Sequence, residues 1–160
     1  MRNSLCVFFI VFLAIFIIDQ AIKYMIIDIA KPQDLYGYSL IAYNDIISIA
    51  LVFNTGVAFS FFTWLGEWLK YIQVFIVFIM IGVLFTQKEL FRSHYIPFAM
   101  MLGAGLSNVL DRFLHGGVVD YIHWHYWFDF PIFNFADVVI DCGIALFIWQ
   151  VFFAKKAKKS

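Results

Sequence analysis

Charge is scarce in this sequence. Asp, Glu, Lys and Arg make up 14% of it, where a soluble domain carries about a quarter. There are two cysteines and three prolines. Cys6 and Cys142 both lie in apolar runs, which excludes a disulfide framework or a metal-ligand spacing. Both are expected to be small buried hydrophobes. There is no internal repeat, no low-complexity segment and no hydrophilic stretch long enough for a second domain, so residues 1–160 read as one unit. What is abundant is hydrocarbon: 64% hydrophobic residues, 21 of them Phe, and a mean hydropathy of +0.87. A chain this small cannot turn so much apolar surface inward, so lipid must be its solvent. A water-soluble or nucleic-acid-binding protein is excluded.

A membrane-crossing helix needs about 20 mostly apolar residues. Four stretches qualify, near 5–29, 68–85, 95–114 and 135–153. The first follows Arg2 and has the look of a signal peptide, but no small-residue cleavage site follows it, and the apolar pattern resumes after Asp19. It is therefore expected to remain as a span.

The net charge of zero hides an asymmetry. Of the 11 Lys and Arg residues, seven (Arg2, Lys88, Arg92, Lys155, Lys156, Lys158 and Lys159) fall before span one, between spans two and three, and after span four. With four spans those segments share one side, and the bias of basic residues makes that side cytoplasmic. Both termini are then inside. The segment 30–67 and the connection between spans three and four lie outside. Within 30–67, Ile46–Phe53 is β-branched and apolar and predicts one or two short strands, broken by the turn-forming "NTG". The Trp-bearing "VAFSFFTWLGEW" suits a segment lying in the membrane interface.

The polar residues are few enough to take singly. Asp19 and Lys23, four apart in span one, meet on one helix face and read as an ion pair that orients the helix. In span three, Gly103 and Ser107 give a small-residue row for close helix packing. Ala104, Asn108 and Arg112 form a second row beside Asp111. Polar groups at that depth face a cavity or a partner.

Asp120 follows Gly116 and Gly117, and Asp137 falls in the first turn of span four, at the favourable end of the helix dipole. Taken singly, they are a loop acid and a helix-start acid. Taken with Asn134, they read as a pair. Two nearby carboxylates cannot easily both ionise, so one takes a proton from water while the other, protonated, donates to a carbonyl. That is aspartic-protease chemistry, which needs neither metal nor cofactor.

His123 and His125 sit among Tyr121, Trp124, Tyr126 and Trp127. An interfacial aromatic belt accounts for that stretch better than a metal site. His94 and His115 are isolated.

Together "DQAIK", "FNTGVAFS", "SNVLDRFLHGGVVDYI" and "FNFADVVI" resemble the lipoprotein signal peptidases, or signal peptidase II, over nearly the whole chain and in the family's order. The resemblance implies an all-α integral membrane protein. Its four transmembrane helices would carry a small extracytoplasmic β-cradle and an interfacial helix. It further implies a monomeric aspartic endopeptidase of the bacterial inner membrane with its site near the outer face. Such an enzyme cuts diacylglyceryl-modified prolipoproteins before the lipidated cysteine.

Residue by residue, the resemblance makes Asp120 and Asp137 the catalytic pair. Asn54, Gly56, Asn108, Arg112 and Asn134 would line the substrate site, Asp111 would brace it, and Asp19 and Lys23 would hold helix one. The chain departs from the family in "GAGLSN", where Ser107 occupies a slot usually held by Gly. A proton- or ion-conducting subunit is the alternative, but it would need polar residues through the membrane depth. Spans two and four are nearly apolar beyond their ends.

Overall fold

The computed structural model describes residues 2–32, 37–56 and 65–153. Four helices, α1 (Arg2–Ala30), α2 (Trp68–Thr86), α3 (Lys88–His115) and α4 (Phe135–Phe153), accompany three strands, β1 (Ser39–Tyr43), β2 (Ile47–Asn54) and β3 (Val118–Trp124). By length and composition α1, α2 and α4 can each cross a membrane. Their outward faces carry Phe9, Ile10, Ile17, Phe75, Phe78, Ile148 and Phe152, a surface that only hydrocarbon can solvate.

α3 is the least apolar helix and the most central. It packs against α1, α2 and α4, and its 28 residues reach roughly 42 Å at 1.5 Å each. Its inward residues include Gly103, Ala104, Ser107 and Asn108. A Cβ on Gly103 would meet the Phe12 carbonyl oxygen at 2.7 Å, so α1 and α3 touch backbone to backbone, as the small-residue row predicts. At Gly143 of α4 a Cβ would sit 3.2 Å from the Pro97 carbonyl oxygen of α3, a looser approach.

α3 also begins earlier than its expected start near residue 95. A short first segment joins the main helix across a kink at His94 (φ −134°, ψ 25°), three residues before Pro97. Pro97 has no N–H for the Ser93 carbonyl, and the bend is held by His94 Nδ1 against Gln150 Oε1 at 2.7 Å.

The strands form one antiparallel sheet in the order β1-β2-β3. β2 covers the stretch expected to be extended, whereas β1 and β3 come from outside it. Leu51, Phe53 and Val119 point from one face onto Ile26, Ile27 and Ala30 at the end of α1. α3 stops at Gly116, whose φ of +74° closes the helix in the left-handed region. At Gly117 a Cβ would sit 3.0 Å from the Asn54 carbonyl oxygen, so a side chain there would push the start of β3 away from β2.

The expected interfacial helix falls largely on residues 57–64, outside the described residues. The two free cysteines are exposed on the lipid-facing surface rather than buried. In a bilayer an apolar run predicts contact with lipid as readily as burial.

Candidate active site

The first turn of α4 is where the polar groups converge. A helix start leaves N–H groups without helical partners, and here each of the first three finds a different side chain. Phe135 N donates to the Tyr121 hydroxyl oxygen at 3.1 Å. Ala136 N donates to Asp19 Oδ1 at 3.0 Å. Asp137 N donates to Asn134 Oδ1 at 2.9 Å, and Asn134 N returns a bond to Asp137 Oδ2 at 3.1 Å. The last two make a reciprocal capping box. Strand β3, helix α1 and the cap residue together clamp the turn that carries Asp137.

Asp120 comes to the same place from the sheet. β3 pairs Asp120 with Val52 and Val118 with Asn54, so Asn54 and Asp120 share one face of the sheet as diagonal neighbours. The Asn54 amide donates to Asp120 Oδ2 at 2.8 Å, and the Asn134 amide donates to Asp120 Oδ1 at 2.7 Å. Beyond β3 the chain folds back, and Phe133 pairs with Ile122, which delivers Asn134 to its position. Asn134 thus touches both carboxylates, one through its side chain and the other through its backbone. From α3, Asn108 Nδ2 donates to Asp137 Oδ1 at 2.9 Å.

Behind the pair lies a buried ion cluster. Lys23 Nζ reaches Asp19 at 2.7 Å, Asp111 at 2.6 Å and Asn108 Oδ1 at 2.7 Å. Its three N–H donors are therefore all used. Turning Asn108 Oδ1 toward Lys23 leaves Nδ2 facing Asp137. Ser107 is fully buried and donates to Asp19 Oδ2 at 2.6 Å. Gln20 bonds both Ser107 Oγ and Asp111 Oδ1, and Asp111 also accepts from Val119 N at 3.1 Å. Asp111 therefore ties α3 to α1 and β3.

Arg112 stands apart from the carboxylates. It donates to Gln73 of α2 at 2.7 Å, to the Asn54 carbonyl at 3.2 Å and to the Gly56 carbonyl. It thereby fixes the segment after β2, where Gly56 N bonds Asn54 Oδ1 at 2.9 Å.

Asp120 is 2% exposed. Burial, and after it the neighbouring charge of Asp137, push its carboxyl up to about 7, against the pull of the Asn54 and Asn134 amides and Lys23. Burial likewise holds the Tyr121 phenol up at about 12, so it stays neutral.

The ten sequence-predicted residues are joined in one network. Tyr121, Gln20 and Gln73 belong to it and were not foreseen. Tyr121 was expected in an aromatic belt, but it is buried because β3 turns it onto the start of α4. Gln73, the one side-chain amide in α2, carried a readable signal. His125 bonds Ser48 at 2.8 Å and His123 lies 3.8 Å from Asp129, both away from the carboxylates.

A membrane-embedded helical protein with two carboxylates set among amides at one end defines a class of integral membrane protein with a polar site near the membrane surface. Comparisons narrow it. The family model for signal peptidase (SPase) II matches residues 11–153. A lipoprotein signal peptidase of Helicobacter pylori (strain Shi470) is 50% identical over 97% of this chain and 92% of its own. One from Wolinella succinogenes is 48% identical over 91% of this chain and 92% of its own. A solved bacterial membrane enzyme shares the fold with a TM-score of 0.74 at 23% identity, covering 100% of this chain and 93% of that one. The chain belongs to the signal peptidase II family.

Proposed function

We propose that the chain is a single-domain aspartic endopeptidase of the bacterial inner membrane. It removes signal peptides from diacylglyceryl-modified prolipoproteins by cutting before the lipidated cysteine, with Asp120 and Asp137 as the catalytic pair. The observation that carries this reading is Asn134, which holds one carboxylate through its amide and the other through its backbone N–H.

The surroundings of the two carboxyls support a division of roles. Asp120, protonated up to about pH 7, donates to the scissile carbonyl oxygen. Asp137 lies at the N-terminus of α4 with two N–H groups on its oxygens, where the helix dipole suits an anion. It takes the proton from the attacking water, and that proton then passes to the departing amine nitrogen. Asn54, Asn108 and Asn134 orient the pair, while Arg112 secures the segment through Gly56. Lys23 with Asp19 and Asp111 holds α1, α3 and β3 in register around it. The chemistry calls for no metal or cofactor, and its partners are the lipidated precursor and membrane lipid, with no nucleic acid. The chain acts as a monomer, both termini are cytoplasmic and the site opens near the outer face.

The test is cleavage of a lipidated prolipoprotein by detergent-purified protein. Asp120→Asn and Asp137→Asn should each lower the rate by several orders of magnitude, with the double variant scarcely worse. EDTA should leave the wild type unchanged. Near-normal turnover in either single variant would overturn the assignment.

A further inference from the structure

The loop between β3 and α4 is built rigidly yet presents its largest side chains outward. Phe130 N donates to the Trp124 carbonyl at 2.9 Å, and His125 N donates to the Ile46 carbonyl at 3.0 Å. His125 is further pinned by Ser48 at 2.8 Å and by the Tyr43 ring stacked on it at 5.3 Å. At the tip stand Tyr126, Trp127 and Phe128, exposed to 52%, 81% and 59%. Holding three aromatics in the open on a braced loop is unfavourable in water.

We infer that this loop is a membrane-surface anchor, with Tyr126, Trp127 and Phe128 seated in the interfacial layer of the leaflet nearest the carboxylates. Three observations select lipid as the occupant. The loop leads along the chain into α4, a helix able to cross a membrane whose exposed Val138, Ile144 and Ile148 face hydrocarbon, so it joins the end of a membrane-crossing helix. Its composition is that of interfacial belts, rings with an apolar body and, in Tyr and Trp, a polar edge. The loop's one acidic residue, Asp129, follows the triplet and lies 3.8 Å from His123, so Tyr126, Trp127 and Phe128 themselves bring no charge to the tip.

The backbone that leaves this loop delivers Asn134, so the anchor also sets the depth of the carboxylates against the lipid-borne substrate. That consequence rests on the peptidase reading; the anchoring does not.

In a Cys6→Ser, Cys142→Ser background, Trp127→Cys carries a nitroxide label in vesicles of phosphatidylethanolamine and phosphatidylglycerol. Power saturation should show collisions with oxygen dominating over a water-soluble nickel chelate, as at Ile10→Cys and opposite to Glu89→Cys. Nickel-dominated collisions at 127 would sink the proposal, and dipolar broadening between labels would reassign the patch to self-association. The triple variant Tyr126→Ser, Trp127→Ser, Phe128→Ser should cleave several-fold more slowly in those vesicles and with little change in detergent. An equal rate in both would remove the depth-setting role while leaving the label result to judge the anchor.

Discussion

Asn134 is the residue on which most of the site turns, and burial outweighs the pull of its amide to hold the Asp120 carboxyl up at about 7. That has a signed consequence for stability. In the unfolded chain this carboxyl ionises near 3.8, whereas folded it holds its proton up to about 7. Between those values the unfolded state binds fewer protons, so this group's stabilising effect is complete below the lower value. It is then lost as pH rises through the upper one. Asn at this position does not titrate. Between pH 5 and pH 8 the wild type should therefore lose thermal stability relative to Asp120→Asn, as read by melts in detergent at both pH values. A constant difference would mean that Asp120 is already ionised at pH 5. In the sequence Asp120 and Asp137 read singly as a loop acid and a helix-start acid, and they became legible as a candidate pair only when taken with Asn134. Tyr121 did not, since a Tyr among Trp and His reads as interface until a strand turns it inward.

At the scale of elements, α1 and α3 are joined by contact rather than by bulk. The row of Gly103 and Ser107 announced that contact in the sequence, and the structure adds what lies across it. Gly103→Ala would push a methyl to 2.7 Å from the Phe12 carbonyl, so the helices must part. Overpacking of this kind costs about 1–3 kcal/mol. Gly105, two positions along the same helix, has open space at its Cβ, so Gly105→Ala serves as the control. Melting of the two variants in detergent should separate them, with Gly103→Ala clearly lower. Equal melting points would show that α1 adjusts freely. The strands were harder to read than the helices. β2 has the β-branched run that marks a strand, but β1 is five residues long, and β3 breaks its β-branched residues with Asp120 and runs into an aromatic stretch that reads as a membrane interface.

For the whole molecule, the alternation of four helices puts the start of α1, the α2–α3 junction and the end of α4 at one end. The sheet, the end of α3 and the start of α4 lie at the other. The carboxylates, the buried Lys23 cluster and Arg112 all sit toward the sheet end, which argues for a site at one membrane surface rather than a polar path across it. Arg2, Lys88 and Arg92 lie at the opposite end, and the basic tail 155–159 follows α4 in the sequence. The bias of basic residues predicts that this end faces the cytoplasm. On that orientation the sheet end, and the carboxylates with it, would face outward, where the proposed substrate, a precursor already carried across the membrane, would present its lipidated cysteine. Single cysteines at Tyr43 and at Arg92, in a chain lacking Cys6 and Cys142, test this in intact cells. A membrane-impermeant thiol reagent should label position 43 from outside and reach position 92 only after the membrane is opened. Labelling of position 92 in sealed cells, with position 43 protected, would invert the molecule and put the carboxylates on the side where no translocated precursor can meet them.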